Sequence, residues 1–390
     1  MTSFNDFMVN TPYGGRLKVS LDLNNQEKHI EGLKGMVQVE PFTDFFYDSL
    51  KLADGAYSPL EGFMGEEEVK SVVHNRTLLD GLPWTIPIVF AIDQQTDNKV
   101  KPGDEIALLD HKHRPYGSMS IETKFKLQKK EFAQSVYGTE ELKHPNVQDL
   151  FESYGDIAIS GKVRVFRESE LPGGTYEKHP SEVRDEFTKR GWKGVVAYQA
   201  RNPPHVAHEY LQKVSLEIPG IDGLFIHLVV GRLKKGDYKA NVILESYEAL
   251  MSNYHRLEKA MMGSLSITMR YAGPRASIFL AIIRRNFGAT HYIIGRDQAG
   301  VGGYYDPYAA QRVFDEMDIG IIPLKFKDTF YCKKCMGITS ENVCPHGTDE
   351  RMMISQTRIR EMLKKGEEIP KEILRQEVAE ILGKGDVINE

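Results

Sequence analysis

The chain has 390 residues, of which 41% are hydrophobic and 27% are charged, and its formal net charge is −5. At about 150 residues per domain the length predicts two to three domains, and the composition excludes a largely disordered chain. The longest apolar runs are short, as at 278–283, whereas a membrane span needs about 20 apolar residues, so no membrane partner is expected. The acidic balance argues against a nucleic-acid partner but allows a small anionic substrate.

Two further features of the sequence indicate the cellular compartment of the protein. The polar stretch 1–16 lacks the charged-then-apolar plan of a secretory signal. All three cysteines lie between 332 and 344. Three cysteines are too few for a disulfide scaffold. They predict a metal site in a reducing compartment, taken here as the cytoplasm.

The first 165 residues or so are predicted to form a β-rich domain, either a barrel or a mixed α+β fold. Short apolar segments recur between turn residues, at 35–39, 84–92, 105–109 and 158–165. No acid/base pair stands out by its spacing here. This part is therefore predicted to be structural or to flank the substrate.

From about residue 166 strands and helices alternate, which predicts a parallel, doubly wound α/β sheet. Strands are predicted at 195–198, 224–230, 265–270, 291–294 and 319–326, and helices up to about 216 and at 241–255, 274–286 and 307–317. Ligands of such sheets bind at the carboxyl ends of strands, and polar motifs follow Tyr198, Arg270 and Ile294. The remaining residues hold the cysteines and two predicted helices, at about 357–364 and 371–382.

The strongest motif runs from Gln199 to His208, at the end of a predicted buried strand. Its two prolines are expected in the first turn of a helix, where His205 and His208 share one face. Free N–H groups and the helix dipole favour an anion there, and Arg201 offers a fork for a tetrahedral oxyanion. The alternative is a proline-rich turn with two surface histidines. The combination of strand, Arg201, Asn202, two prolines and paired histidines favours the anion site.

Two further motifs follow predicted strands. In 294–300, glycines allow close approach of the backbone to a ligand and Arg296 could pair with phosphate, although a purely structural turn is the alternative. In 269–275, two more arginines surround a proline that begins a helix. One of these arginines is predicted to be only solvated or salt-bridged.

The segment 354–360 precedes a predicted helix. Ser355 or Thr357 can cap that helix, and Arg360 would project from its first turn. Capping explains the segment by itself, and a role with phosphate depends on the other motifs.

The cysteine cluster predicts a structural zinc site of the Cys₃His type, the alternative being three incidental thiols in a turn. Asp349 and Glu350 remain alternatives for the fourth ligand. The predicted ligands are Cys332, Cys335, Cys344 and His346. No Gly-rich Lys-Ser/Thr phosphate loop occurs, so a kinase domain is not expected.

Together these motifs resemble the ATP sulfurylase (sulfate adenylyltransferase) family, in its monofunctional prokaryotic form. The resemblance covers nearly the whole chain, and the cysteine cluster is similar to a zinc-binding insertion of some prokaryotic members. The matching segments are 55–64, 199–208, 269–275, 295–300, and 354–363 with 366–370.

The resemblance implies a PUA-like domain at 1–165, a nucleotidyltransferase domain at 166–326 and a small α/zinc domain at 327–390. It implies that ATP and sulfate form adenosine 5′-phosphosulfate (APS) and pyrophosphate in sulfur metabolism, with Mg²⁺ on ATP. Sulfate would attack the α-phosphate directly and in line. A homodimer is likewise implied.

The resemblance also implies residue roles. Gln199 and Arg201 would hold sulfate together with the backbone N–H of Ala299, and Arg201 and Asn202 would stabilise the transition state. His205 and His208 would bind the ATP phosphates, and Lys327 would reach adenine through its main chain. The other residues implied at the nucleotide or its phosphates are Gly295, Arg296, Asp297, Gln298, Ser355, Thr357 and Arg360.

Three positions depart from the family pattern: Ala200 replaces a common Thr, and Gln298 and Leu280 each replace a common His. They bear on substrate preference and rate more than on reaction type. Two alternatives stay open: another nucleotidyltransferase of the same superfamily, and an RNA-binding protein built from a PUA-like domain and a zinc knuckle. The sequence leaves the physiological direction of the reaction open.

Overall fold

The computed structural model describes residues 9–389. Residues 1–8 and 390, which the predicted first and last domains include, lie outside the described residues, as does half of the polar stretch 1–16. Within residues 9–389, no helix has both the length and the apolar character that crossing a membrane requires.

The first part of the chain forms a six-stranded sheet surrounded by helices. Its strands follow the order β1-β4-β5-β6-β2, and β3 also pairs with β6. All pairs are antiparallel except β1 with β4. The predicted β-rich fold is confirmed, in its mixed α+β form. The elements are β1 (Val37–Val39), β2 (Gly62–Phe63), β3 (Phe90–Ile92), β4 (Glu105–Leu109), β5 (Pro115–Lys126), β6 (Ile157–Val165), α1 (Gln26–Gly32), α2 (Thr43–Ala53), α3 (Glu66–Asn75), α4 (Gln94–Asp97), α5 (Lys129–Phe132) and α6 (Pro145–Glu152).

The central part forms the predicted doubly wound sheet, with five parallel strands in the order β11-β10-β7-β8-β9. The chain runs outward from β7 to β9 and then returns to β10 on the other side of β7. The topological switch therefore lies between β7 and β10, where such sheets bind ligands. The elements are α7 (Pro180–Lys189), β7 (Val195–Ala200), α8 (Val206–Leu216), β8 (Gly223–Val229), α9 (Ala240–Tyr254), β9 (Ala260–Leu265), α10 (Pro274–Asn286), β10 (His291–Ile294), α11 (Ala309–Glu316) and β11 (Ile322–Lys325).

Strand β7 shows how this sheet separates two hydrophobic cores. Side chains alternate along a strand, so Val195 and Ala197 enter the core shared with the N-terminal part. Val196 and Tyr198 enter a second core on the opposite face. Because both faces of β7 are covered, its sequence is a nearly continuous apolar run.

The predicted strand over 265–270 is wrong, because β9 ends at Leu265. Beyond that residue, other parts of the chain accept the backbone N–H groups. Ser266 N–H donates to Glu177, Met269 N–H to the Arg232 carbonyl, and Tyr271 N–H to Asn146 Oδ1. These contacts fix 266–273 as an extended loop.

The C-terminal part forms a small antiparallel sheet, ordered β13-β12-β14, and two helices. The predicted helix at 357–364 is confirmed, whereas the one predicted at 371–382 begins only at Gln376. Ile373 N–H donates to the Pro370 carbonyl in a turn, and Arg375 is extended with ψ 145°. Both helices add side chains to the second core of the central sheet. The elements are β12 (Thr329–Cys332), β13 (Gly337–Ser340), β14 (Arg351–Met353), α12 (Gln356–Lys365) and α13 (Gln376–Leu382).

Candidate active site

Two adjoining cavities of 750 and 450 Å³ open at the carboxyl ends of β7 and β10. The wall common to both includes Arg201, Asn202 and Arg296. Lys234, Asp237 and Arg360 lie on the side of the larger cavity. The smaller cavity is lined by Gln199, His205, His208, Gly295, Ala299, Lys327 and Ser355, among others. Thus the sheet brings the motifs after β7 and β10 together with the start of α12.

Arg201 follows β7 directly, and 22% of its side chain is exposed. Its guanidinium lies over the ring of Tyr271, 5.0 Å from the ring centre, and Nη1 donates to Asp237 at 3.0 Å. An arginine has five donors, so this contact leaves most of the fork free for an oxyanion.

His205 and His208 form a reciprocal cap at the start of α8. His208 N–H donates to His205 Nδ1 at 3.4 Å, and His205 N–H donates to His208 Nδ1 at 3.5 Å. Because Nδ1 accepts in both rings, neutral tautomers carry their proton on Nε2. Burial lowers the pKa of His208 to about 4 and that of His205 well below its usual value, with nearby His208 adding to the latter effect. The lowered pKa values favour the neutral form of both imidazoles, whose Nε2–H can donate a hydrogen bond.

The start of α8 differs from the prediction in two respects. Pro203 and Pro204 precede the N-cap residue His205, so they lie outside the first turn. Residues before a proline avoid the helical region, which keeps this stretch extended up to the cap. In addition, Val206 N–H donates to the Ile373 carbonyl at 3.1 Å. One of the helix N-terminal amides is thus used by the C-terminal part and is not available to an anion.

The loop after β10 has strained backbone at two non-glycine residues. Asp297 has φ 54° and Ala299 has φ 56°. Conformations of this kind cost about 1–3 kcal/mol each and cluster at functional sites. Gly300 N–H donates back to the Asp297 carbonyl at 3.3 Å, which closes the turn.

Gln298 in this loop connects to Gln199 through a tyrosine. Gln298 Nε2 donates to the hydroxyl of Tyr292 at 2.6 Å, and that hydroxyl donates to Gln199 Oε1 at 3.1 Å. The carbonyl oxygen of Gln199 is thereby occupied. Its amide NH₂ is left as the group that can donate to an anion.

Helix α12 contributes to the opposite wall of the site. Ser355 Oγ caps it by accepting from Arg358 N–H at 3.2 Å, and Gln356 Nε2 donates to the Pro203 carbonyl at 2.8 Å. Arg360 Nη2 donates to Asn202 Oδ1 at 2.9 Å. Thr357 lines both cavities. The segment is therefore both a helix cap and part of the site.

Arg296 and Lys327 are held loosely. Arg296 is 45% exposed and lies 3.5 and 3.8 Å from Asp297 and Asp328, beyond ordinary hydrogen-bond distance. The Lys327 ammonium lies 4.3 Å from the ring centre of Tyr308. Both cations are placed to turn towards a bound anion.

The departures from the family pattern lie in different places. Ala200 and Gln298 line the smaller cavity. Leu280 is buried in the core on α10, with 2% of its surface exposed. The first two can touch a ligand directly, whereas Leu280 acts only through packing.

Sequence reasoning missed four residues of the site: Lys234, Asp237, Tyr271 and Tyr292. Lys234 and Asp237 belong to a charged run that follows β8, so the strand-end rule that found the other motifs would also have found them. Tyr271 lies in the motif 269–275, whose arginines are the residue type expected to bind an anion. Tyr292 lies within a buried strand, where nothing local distinguishes it from a core residue.

The two arginines of 269–275 do not line either cavity. Arg270 Nη2 donates to Asp48 of α2 at 2.5 Å. Arg275 donates to the carbonyls of Val72 and Val73 in the last turn of α3, at 2.9 and 2.8 Å. One of them is predicted to be only solvated or salt-bridged, and Arg270 does form a salt bridge, with Asp48. Both arginines join the central part to the N-terminal part.

The cysteine cluster fits a tetrahedral metal ion. Its ligand atoms lie within 4.8 Å of one another, with Cys335 Sγ 3.8 Å from Cys344 Sγ. His346 Nδ1 lies 3.3, 3.3 and 3.7 Å from the sulfurs of Cys332, Cys335 and Cys344. Zinc bonds of about 2.3 Å to sulfur and about 2.1 Å to nitrogen give tetrahedral edges of about 3.8 Å and about 3.6 Å. His346 is the fourth member of this cluster, whereas Glu350 pairs with Lys334 at 3.3 Å.

A cleft at the switch point of a doubly wound sheet, lined by arginines and by paired histidines at a helix start, is the ligand site expected of a doubly wound α/β protein. The family model for a PUA-like domain matches residues 10–168, and that for ATP-sulfurylase matches residues 174–385. The chain belongs to the ATP-sulfurylase family.

Relatives match over nearly the full length of the chain. A sulfate adenylyltransferase of Pyrococcus abyssi is 41% identical over 377 residues, covering 96% of this chain and 98% of the relative. One of Deinococcus radiodurans is 41% identical over 392 residues, covering 98% and 99%. The solved hexameric APS kinase from Thiobacillus denitrificans has a TM-score of 0.77 at 22% identity, covering 96% of this chain and 68% of that chain. The last likeness concerns the fold alone.

Proposed function

We propose that the protein is a sulfate adenylyltransferase, which converts ATP and sulfate to APS and pyrophosphate. The observation that carries this proposal is the meeting of Arg201, Arg296 and the His205–His208 pair at one sheet switch point. A site of this kind suits a reaction between anions. Membership of the ATP-sulfurylase family supports the same reaction.

The chemical obstacle is repulsion between sulfate and the α-phosphate of ATP. A site can supply positioning and charge neutralisation, and no covalent intermediate is needed. In our proposal Arg201, the NH₂ of Gln199 and the Ala299 N–H hold sulfate. Arg201 and Asn202 then stabilise the charge that develops as sulfate attacks in line. The fixed amide of Gln199 supports this assignment.

The nucleotide and its phosphates would occupy the two adjoining cavities. The Nε2–H groups of His205 and His208 would donate to its phosphates, and the main chain of Lys327 would reach adenine. The other proposed nucleotide and phosphate contacts are Gly295, Arg296, Asp297, Gln298, Ser355, Thr357 and Arg360. Mg²⁺ would enter with ATP and offset part of the phosphate charge.

Cys332, Cys335, Cys344 and His346 would hold a structural zinc. Strand β12 runs directly from Lys327 and Asp328 into this cluster, so a bound metal would fix one wall of the nucleotide cavity. Elemental analysis of protein purified without chelator should find about one zinc per chain. Less than about half a zinc per chain would overturn the assignment.

The same proposal includes three units, at 1–165, 166–326 and 327–390. Each of the three sheets lies wholly within one of them, which supports these bounds. The C-terminal helices pack on the central core, so the third unit would not fold alone. A cytoplasmic homodimer completes the proposal.

Sulfate-dependent exchange of labelled pyrophosphate into ATP tests the reaction. The exchange should require sulfate, and the reverse reaction should make ATP from APS and pyrophosphate. Exchange that proceeds equally well without sulfate would instead indicate another nucleotidyltransferase. Comparing both directions on purified protein also decides which is favoured.

A further inference from the structure

Asp237 is a buried carboxylate at the centre of the cations of the larger cavity. It lies in the loop after β8 and is 0% exposed. Its Oδ2 accepts from Arg201 at 3.0 Å and from the Tyr271 hydroxyl at 3.1 Å. Its Oδ1 accepts from Lys234 at 3.1 Å and lies 3.5 Å from Arg360 Nη2. One carboxylate thus contacts three cations from three separate segments of the chain.

The backbone around Asp237 is fixed by the segment 386–389. Asn389 N–H donates to the Asp237 carbonyl at 2.8 Å, and Gly236 N–H donates to the Asn389 carbonyl at 3.0 Å. Tyr238 and Ile388 form an antiparallel bridge. The carboxylate is therefore held from both its side chain and its main chain.

A negative charge in this place opposes the binding of anionic substrates, because like charges repel. Its benefit must therefore lie in geometry. Three neighbouring cations repel one another, and each long side chain has rotamer freedom that a loose site would not restrain. A shared buried acceptor removes both problems. It also leaves further donors of Arg201 and Lys234 free to face the cavity.

We propose that Asp237 is a positioning residue, which holds Arg201, Lys234 and Arg360 in the arrangement that the oxyanions require. This inference rests on the proposed adenylyl transfer. In this role Asp237 acts through the three cations rather than by contact with a substrate. Its effect should therefore appear in the rate of the chemical step rather than in the affinity for substrates.

Asp237→Asn keeps the size of the side chain and removes its charge. Misplacing reacting groups by about 1 Å can cost about 10²-fold, so we expect kcat to fall about 10²-fold. The KM for sulfate should stay the same or decrease, because a repelling charge has been removed while the cations remain. Asp237→Glu keeps the charge but shifts the acceptor by one methylene. It should lose kcat by at least about tenfold if position matters.

Asp54→Asn is the matched control. Asp54 is also a buried carboxylate between cations, 3.0 Å from Lys51 and 3.7 Å from His179, but it lies outside both cavities. The Asp54→Asn variant should have a lower melting temperature than the wild type and an unchanged kcat. Each variant is compared with wild type by steady-state kinetics, thermal melting and calorimetric titration with inorganic pyrophosphate.

The outcomes separate the inference from the proposed function. Wild type without sulfate-dependent turnover would sink the proposed function itself. If the wild type is active and the kcat of Asp237→Asn lies within about threefold of the wild-type value, the inference alone is overturned. A rise in the KM for sulfate as large as the fall in kcat would overturn it too. Where Asp237→Asn fails to fold, Asp237→Glu decides: wild-type kcat in that variant overturns the positioning role, and a loss with normal pyrophosphate affinity supports it.

Discussion

Two loops that follow strands of the central sheet each carry an arginine, and the two arginines have different contacts. After β7, Arg201 is partly exposed and faces both cavities. After β9, Arg270 is only 7% exposed and pairs with Asp48 of the N-terminal part. The sequence pattern is alike in both places. Each guanidinium contacts a buried acid, Asp237 for Arg201 and Asp48 for Arg270. The difference lies in exposure: 22% of the Arg201 side chain remains exposed, whereas Arg270 is buried.

The two regions are nevertheless in contact. The loop of Arg270 also carries Tyr271, whose ring lies under Arg201 and whose hydroxyl donates to Asp237. Asn146 of α6 accepts from Tyr271 N–H at 2.9 Å. The N-terminal part therefore supports the side chain against which Arg201 rests, which gives it a function beyond packing.

The largest effect is expected on stability from Arg270→Ala. Burial raises the pKa of Asp48 to about 6 even with Arg270 beside it, so the carboxylate depends on this partner. Breaking a buried pair from one side typically costs about 3–5 kcal/mol, and we expect a loss of this size in the free energy of unfolding. Urea denaturation measures it. Arg312→Ala, which breaks an exposed pair with Asp306, should cost less than about 1 kcal/mol. Equal losses in the free energy of unfolding of both variants would contradict the role of Arg270 in joining the central part to the N-terminal part.

The next effect is on rate, from Arg201→Ala. Losing one such contact in a charged transition state costs about 10²–10³ in rate, and APS formation and ATP formation should fall alike because both directions share one transition state. The melting temperature should change little, since Asp237 keeps Lys234 and Tyr271 as partners. Arg201→Lys should restore little, because a point charge cannot replace the fork.

Turnover in both directions and a thermal melt check this prediction. Near-wild-type turnover in Arg201→Ala, with an unchanged melt, would falsify the assignment of Arg201 to sulfate binding and transition-state stabilisation. A large stability loss with little rate loss would make Arg201 a brace like Arg270, and the contrast between the two loops would disappear.

Strands β7, β8 and β10 could be predicted because they are buried on both faces and so appear as separate apolar runs. The motifs after β7 and β10 could be placed together because parallel strands end at one edge. The burial of Arg270 could not be predicted. Its partner Asp48 lies 222 residues away in sequence, and no local pattern records that pairing.

Element ends were predicted less well where side chains compete for backbone groups. The residues after Leu265 have strand-like sequence, but Glu177 and Asn146 accept their N–H groups instead of a neighbouring strand. Asp237 is a different case, since its position after β8 was visible in the sequence. Its contacts to three cations depend on loops that only the folded chain brings together.

A smaller effect concerns pH and His205. Its pKa is well below the usual value because of burial, so the folded protein resists the proton that the unfolded chain binds below pH about 6.5. The contribution of His205 to the free energy of unfolding is therefore fully present above that pH. It declines as the pH falls, by up to about 1.4 kcal/mol per pH unit for one histidine. His205→Asn keeps a capping oxygen and removes the imidazole, so it should reduce this decline.

Urea denaturation between pH 7 and pH 5 measures the effect. His113→Asn is the control, because 74% of the His113 side chain is exposed and its positive φ of 56° suits asparagine. It should leave the pH dependence unchanged. If the free energy of unfolding of His205→Asn falls with pH as steeply as that of the wild type, the pKa of His205 is not lowered in the folded protein.

The smallest effect is expected from Gln298→His, in the loop that faces Arg201 across the smaller cavity. Gln298 donates to the Tyr292 hydroxyl, which in turn fixes the carbonyl oxygen of Gln199. An imidazole N–H can make the same donation, so the NH₂ of Gln199 should stay directed at sulfate. We expect turnover to change by about tenfold or less, equivalent to about 1.4 kcal/mol.

Tyr292→Phe, which removes the connecting hydroxyl, should reduce turnover more and raise the KM for sulfate. Complete inactivation by Gln298→His, measured in both directions, would show that this loop contacts the substrates in another way. A Tyr292→Phe variant as active as wild type would show that Gln199 needs no fixed amide.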